Sequence, residues 1–149
     1  MLILHIDDDA DDRALFLEAI QRIDISILHL EATDAINGLE VLAGSQVQRI
    51  DCIFLDINMP LMDGLSMLKV LKENPELKSI PVFIYSTTAN PKEIESVNSL
   101  GGHFLQKRSD FRALISSLKE IFQHVFQHPQ DTNDYFNRHW NSFTCSFRA

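Results

Sequence analysis

The sequence predicts an α/β fold in which five strands alternate with five helices around a parallel sheet. Three observations carry that expectation. Short apolar runs recur along the 149 residues, and most stop abruptly at acidic or hydroxyl residues. Between them lie stretches whose apolar residues are three and four apart, the spacing of a helix with one buried face. Strands that alternate with helices become parallel neighbours through right-handed crossovers. With 45% hydrophobic content in 149 residues, the chain can bury one real core.

Residues 2–6 form the first apolar run, ended by Asp7, Asp8 and Asp9; residues 11–23 then read as a helix with Phe16, Ile20 and Ile23 on one face. Residues 25–30, rich in Ile and Leu, predict the second strand, and residues 33–43 a helix through Ala35, Leu39 and Leu42 that closes at Gly44. Residues 50–55 are the third strand. The loop containing Pro60 and Asp63-Gly64 follows, then a helix over 64–73 with Leu65, Leu68 and Leu71 inward, broken by Asn74-Pro75. Residues 81–85 make the fourth strand, with Ser86, Thr87 and Thr88 as its polar end. Asn90, Pro91 and Glu93 supply an N-cap, a first-turn proline and the acid of a capping box, and Leu100-Gly101-Gly102 ends that helix. Residues 103–106 are a short fifth strand, and a fifth helix runs from Ser109-Asp110 to about Phe126.

The domain is therefore expected over 1–127, with 128–149 as an extension. Phe136, Trp140, Phe143 and Phe147 are spaced by four, three and four, which predicts a short extra helix. Its aromatic stripe suits an intramolecular clasp or, in the alternative, contact with a second copy or partner. Only 23 residues follow Phe126, too few for a DNA-binding or enzymatic output domain.

Composition excludes several classes. A net charge of −8 argues against general binding of nucleic acid or membrane surfaces, which rests on clustered Lys and Arg. Two cysteines without metal-type spacing, and no leader or spanning stretch, point to a reducing cytoplasm. Cys52 reads as core filling rather than as a nucleophile.

In a parallel sheet the carboxyl ends of the strands share one rim, where ligands bind. That rim would gather Asp7, Asp8 and Asp9 from the first strand, Asp56 from the third, Ser86 and Thr87 from the fourth and Lys107 from the fifth. Carboxylates held this close need a compensating cation, and oxygen ligands favour Mg²⁺ or Mn²⁺. A metal, a lysine and a hydroxyl around one carboxylate can also neutralise a phosphoryl group while that carboxylate attacks phosphorus.

These motifs resemble the response-regulator receiver domain of two-component signalling. They are Asp7-Asp8 with Arg13, the run from Leu55-Asp56 to Asn58-Met59-Pro60 with Asp63-Gly64, Ser86, and Phe104 with Lys107. The resemblance covers about residues 2–126 and implies a flavodoxin-like (βα)5 three-layer sandwich with strand order 2-1-3-4-5. It implies that Asp56 accepts phosphate from a histidine kinase, and that Asp8, Asp56 and the Asn58 carbonyl bind Mg²⁺, with Asp7 acting through water. Lys107 would pair with the phosphoryl oxygens, Ser86 and the Thr87 N–H would donate to them, and Phe104 would turn inward. Asn58 and Thr88 would flank the attacking water that ends the phosphoryl lifetime. The output would be contact with a downstream protein, and a homodimer could use the fourth helix, fifth strand and fifth helix, or the tail.

Two departures fall on that face. Arg108 stands where the family usually has proline after its lysine, which predicts a trans bond or strained turn and a shifted start to the fifth helix. The stretch Gly101-Gly102-His103-Phe104 is one residue shorter than the common pattern.

Other readings of the same residues are weaker. Asp7, Asp9, Asp11 and Glu18 imitate an EF-hand loop, but Asp12 occupies the place that needs glycine. Asp11 and Asp12 serve as charges at a helix N-terminus. Asp7 and Asp9 have the spacing of a haloacid-dehalogenase-type phosphatase, without its cap or the expected residue at Asp11. A phosphorelay intermediate that passes phosphate to a histidine phosphotransfer protein is a further reading. His124 and His128 suit a solvated helix face, and His5 a core histidine satisfied by near neighbours.

Overall fold

The computed structural model describes residues 1–44, 49–88 and 90–143, with side chains described as far as Arg138. The chain runs β1 (Leu2–Ile6), α1 (Ala10–Ile23), β2 (Leu28–Ala32), α2 (Ala35–Leu42), β3 (Cys52–Leu55), α3 (Gly64–Glu73), β4 (Val82–Ser86), α4 (Pro91–Ser99), β5 (His103–Gln106), α5 (Phe111–Gln127) and α6 (Thr132–Phe143). The sheet is parallel with order β2-β1-β3-β4-β5, as the flavodoxin-like expectation requires.

The pleat divides the buried residues between two layers. Leu4, Ile6, Ile53, Leu55, Val82, Ile84 and Phe104 face the core shared with α2, α3 and α4. Ile3, Cys52, Phe54, Phe83, Tyr85 and Leu105 face the core shared with α1 and α5. The central strands are covered on both faces, so they read as unbroken apolar runs rather than as alternating ones.

Several boundaries differ from the sequence expectation. The second strand starts at Leu28, because Asp24 closes a turn instead: its side chain accepts from the Ser26 N–H at 2.8 Å and its carbonyl from the Ile27 N–H at 3.2 Å. Ile25 is left 88% exposed. α2 begins two residues late because the Asp34 carboxylate caps it at the Asn37 N–H. β3 begins at Cys52, since Asp51 turns its carboxylate onto the Leu2 N–H at 2.7 Å. β4 runs one residue further, to Ser86.

Helix ends explain the rest. Asn90 caps α4 through the Lys92 N–H, but the expected capping box does not form, because the Glu93 carboxylate accepts from Thr88 Oγ1 at 3.1 Å. α4 ends in a Schellman motif: Gly102 N–H donates to Val97 O at 2.9 Å and Gly101 N–H to Asn98 O at 3.0 Å. Gly101 supplies the φ of +78° that this requires. The chain enters β5 at once. No peptide bond among the described residues is cis, so Lys107–Arg108 is trans, and α5 starts at Phe111 with Asp110 as cap.

The extra helix α6 is present and folds back on the sheet. Phe136 is fully buried against Phe83 of β4 at 5.1 Å, His103 of β5 at 5.4 Å and His124 of α5 at 5.3 Å. Asn133 donates to Ser79 O at 3.1 Å and lies 3.2 Å from His103 Nε2. Tyr135 stacks on His124 at 3.6 Å, so that histidine lines a packed seam rather than the solvated face expected of it. For Phe136 the clasp is thus intramolecular. The side chains of Trp140 and Phe143, and all of Phe147 and Cys145, lie outside the described residues.

Candidate functional site

Strand register builds the site. Ile6 pairs with Leu55, and the Asp56 N–H donates to Ile6 O at 2.9 Å, so the next residues, Asp7 and Asp56, emerge side by side. Ser86 pairs with Gln106, and the Lys107 N–H donates to Ser86 O at 2.7 Å, which brings the lysine to the same rim. Asp7 is 1% and Asp56 6% exposed, whereas Asp8 is open to solvent. Oxygens of Asp7, Asp8 and Asp56 all lie within 4.8 Å of one another, a spacing that one hard cation can bridge.

Backbone contacts fix these carboxylates. Asp7 Oδ1 accepts from the Asp9 N–H at 2.9 Å, and Asp56 Oδ2 from the Asn58 N–H at 3.0 Å. Arg13 donates to the Asp7 carbonyl at 2.8 Å and sits 3.4 Å from Glu31. Asp9 turns away from the cluster to cap α1 through the Asp11 and Asp12 N–H groups. The loop after Asp56 returns closely on itself: the Gly64 N–H donates to Ile57 O, and a Cβ on Gly64 would strike the Asp56 carbonyl oxygen. Leu61 holds a φ of +70° at the exposed tip of that loop.

Lys107 is the counter-charge. Its Nζ lies 2.6 Å from Asp7 Oδ2, 2.7 Å from Asp12 Oδ2 and 3.0 Å from Asp56 Oδ1, and 5.2 Å from the centre of the Tyr85 ring. Burial pulls the ammonium toward neutrality, but the bonds to Asp12 and Asp7 and the charge of Asp56 outweigh it and hold it protonated. Burial pushes the Asp56 carboxyl up from its ordinary value against the pull of Lys107. For Asp7 burial acts the same way but is overcome by its partners, His5, Lys107 and the Asp9 N–H, and the net shift is downward. Asp56 is therefore the least comfortable charge of the set, the one a cation or a covalent bond would relieve.

Ser86 is fully buried, its Oγ 3.3 Å from Thr88 Oγ1 in a chain that continues to Glu93. Thr87 follows on the exposed side, and Asn58 is exposed beside Asp56. Phe104, expected to turn inward on activation, is already buried at 2% exposure in the α3 and α4 core. His5 departs from expectation too: it is buried, yet neither ring nitrogen has a hydrogen-bond partner among the described residues, and Asp7 Oδ2 at 3.7 Å is only an electrostatic neighbour. Asp7 directly follows a strand and Asp12 lies in a helix, so residues 7–18 do not form an EF-hand loop.

The residue missed from sequence is Asp12, which does more than charge a helix end. A signal was present: Asp12 precedes the buried Phe16 by four, so both lie on the face of α1 that meets the sheet. Its partner stands 95 residues away and could not be read from spacing.

The response regulator receiver domain model matches residues 3–119. Two-component response regulator ORR6 of Oryza sativa subsp. japonica is 34% identical over 94 residues, covering 63% of this chain and 54% of that one, so the chain spans about half the length of this relative. The solved Mn²⁺-bound form of response regulator Rcp1 superposes with a TM-score of 0.69 at 26% identity, over 80% of this chain and 90% of that one. The phosphorylated cyanobacterial phytochrome response regulator RcpA gives 0.74 at 26% identity, over 84% and 93%. Sequence motifs, fold and rim geometry agree: the chain belongs to the response regulator receiver domain family, whose members are signalling domains.

Proposed function

We propose that Asp56 accepts a phosphoryl group from a histidine kinase and that the phosphorylated domain signals by contact with another protein. The observation that carries this reading is the buried Asp56 carboxylate, held between the Lys107 ammonium and the Asn58 N–H at the strand rim. One Asp56 oxygen attacks phosphorus, the P–O bond forms as the P–N bond to the donor imidazole breaks, and the imidazole leaves with that electron pair. Lys107 moves its donor from Asp56 onto a phosphoryl oxygen, and Ser86 and the Thr87 N–H supply further donors. Asp7, Asp8, Asp56 and the Asn58 carbonyl suit Mg²⁺ or Mn²⁺, which would neutralise charge on the transferring group. The Mn²⁺-bound Rcp1 and phosphorylated RcpA structures, similar in fold, support both halves of the reading. Residues 1–127 would form the working unit and 128–149 an extension.

The test is labelling with a phosphoryl donor and Mg²⁺. An acid-stable, hydroxylamine-labile label that disappears in Asp56→Asn is expected; a wild-type chain that takes no label from acetyl phosphate or any histidine kinase would overturn the proposal. Return of the label to a histidine phosphotransfer protein would favour the relay reading, and turnover of small phosphomonoesters the phosphatase.

A further inference from the structure

Asp12 takes no part in the acceptor chemistry just described, yet it holds one of the three hydrogens of the Lys107 ammonium at 2.7 Å. A second goes to Asp7 at 2.6 Å, while Asp56 faces the same ammonium as an ion pair at 3.0 Å, so three carboxylates share the charge of the lysine. These three partners behave differently when a phosphoryl group arrives. Asp56 gives up its place because it becomes the acyl phosphate. Asp7 is 1% exposed and pinned by the Asp9 N–H, whereas Asp12 stands on the first turn of α1 with 36% of its side chain open. It lies outside the carboxylate set that converges for a cation.

Two consequences follow from charge and donor count. Lys107 can give a single hydrogen to the phosphoryl group while Asp12 and Asp7 keep the others, and the carboxylate of Asp12 adds negative charge where an anionic donor must approach. In the opposite direction, Asp12 takes up part of the ammonium charge that would otherwise fall on Asp7 and Asp56, leaving those two more available to a cation. We infer that Asp12 is a positioning residue for the acceptor reaction: it restrains Lys107, slowing attack on anionic donors and favouring cation binding. The inference rests on the reading of Asp56 as the acceptor.

The experiment compares the full-length wild type with Asp12→Asn, Asp12→Glu and Asp11→Asn. Asp11 shares the first turn of α1, is exposed and makes no hydrogen bond or ion pair with Lys107, so Asp11→Asn removes the same charge without the restraint. Two quantities are read: Mn²⁺ affinity by electron paramagnetic resonance of the unphosphorylated chain, and the second-order rate of Asp56 labelling by acetyl phosphate at saturating Mg²⁺. In the labelling step the bond from phosphorus to the Asp56 oxygen forms, and acetate leaves with the electrons of the bond that breaks. Asp12→Asn should raise the labelling rate about three- to tenfold and weaken Mn²⁺ binding about threefold, the range one half-exposed charge pair can supply. Asp12→Glu, which keeps charge and reach, should stay near wild type, and Asp11→Asn should change either quantity by less than about twofold.

Opposite shifts in the two quantities are the signature, since loss of structure alone would lower both. Equal behaviour of Asp12→Asn and Asp11→Asn, or a fall in both quantities for Asp12→Asn, overturns the inference while leaving Asp56 as acceptor. A wild-type chain that takes no label on Asp56 overturns both.

Discussion

Phe136→Ala tests how the extension is held. The ring is fully buried between β4, β5 and α5, and truncating a buried Phe to Ala typically costs about 3–5 kcal/mol. The polar and stacking contacts described for α6 are individually smaller. Asn133 makes two side-chain hydrogen bonds, worth roughly 0.5–1.5 kcal/mol each, and Tyr135 stacks on His124 for about 0.5–1.5 kcal/mol. The loss matches or exceeds what these described contacts supply, so the variant should release α6 from the sheet rather than unfold the domain. Hydrogen exchange read by mass spectrometry would show residues 132–143 losing protection, with β1, β3 and β4 close to wild type. Asp56 labelling should be unchanged. Protection of α6 that survives Phe136→Ala would mean that the ring is not its anchor. Loss of protection in all strands together would make α6 part of one cooperative core, and the reasoning from separate contacts would fail.

Two further outcomes follow from the packing. Gly64→Ala forces a Cβ onto the Asp56 carbonyl, so it should cost about 1–3 kcal/mol in urea unfolding and slow Asp56 labelling, because the backbone that carries the acceptor must shift; labelling and stability equal to wild type would show that the loop has slack. Burial lowers His29 and His103 to about 4 from 6.5, so both are neutral when folded, and between those pH values the unfolded chain binds more protons. Stability should be complete above about pH 6.5 and decline toward pH 4 by up to about 3 kcal/mol per histidine. Urea midpoints at pH 7.5 and pH 5 check this, and His103→Asn should flatten part of the slope; equal midpoints would refute it.

What the sequence reveals depends on how far away the deciding partner lies. β1, β5 and α3 have the expected bounds because apolar runs and their stops are local. β2 is misplaced because it is an edge strand with Leu28 58% exposed, so its composition says little about where pairing begins. Asp7, Asp56 and Lys107 are legible because each directly follows the last residue of a strand, and parallel strands bring their ends together. Asp12 and Phe136 show the complementary case. Helical spacing places each on an inward face, but nothing within one turn identifies Lys107 or the gap between Phe83 and His103 as what it meets. The Ser86–Thr88–Glu93 chain is hidden for another reason: it takes the Glu93 carboxylate that a capping box on Asn90 could equally have used.

The placement of these contacts along β5 ties the two ends of the molecule's chemistry together. His103 opens the strand and meets Phe136 and Asn133 of α6; Lys107 follows its last residue and meets Asp7, Asp12 and Asp56. They are four positions apart, roughly 13 Å of extended chain. Among the described side chains, none of α6 meets Asp56 or Lys107, which is why docking of the extension and phosphate uptake should be separable. The strand between them is nevertheless continuous, and Phe104 is buried within it against α3 and α4. On the proposed reading, a shift of Lys107 from Asp56 toward a phosphoryl oxygen would act on the carboxyl end of the strand whose amino end supports α6. Among the described residues Asp56 thus makes no contact with the extension, while α6 sits on the strand that ends beside Lys107, the charge partner of Asp56.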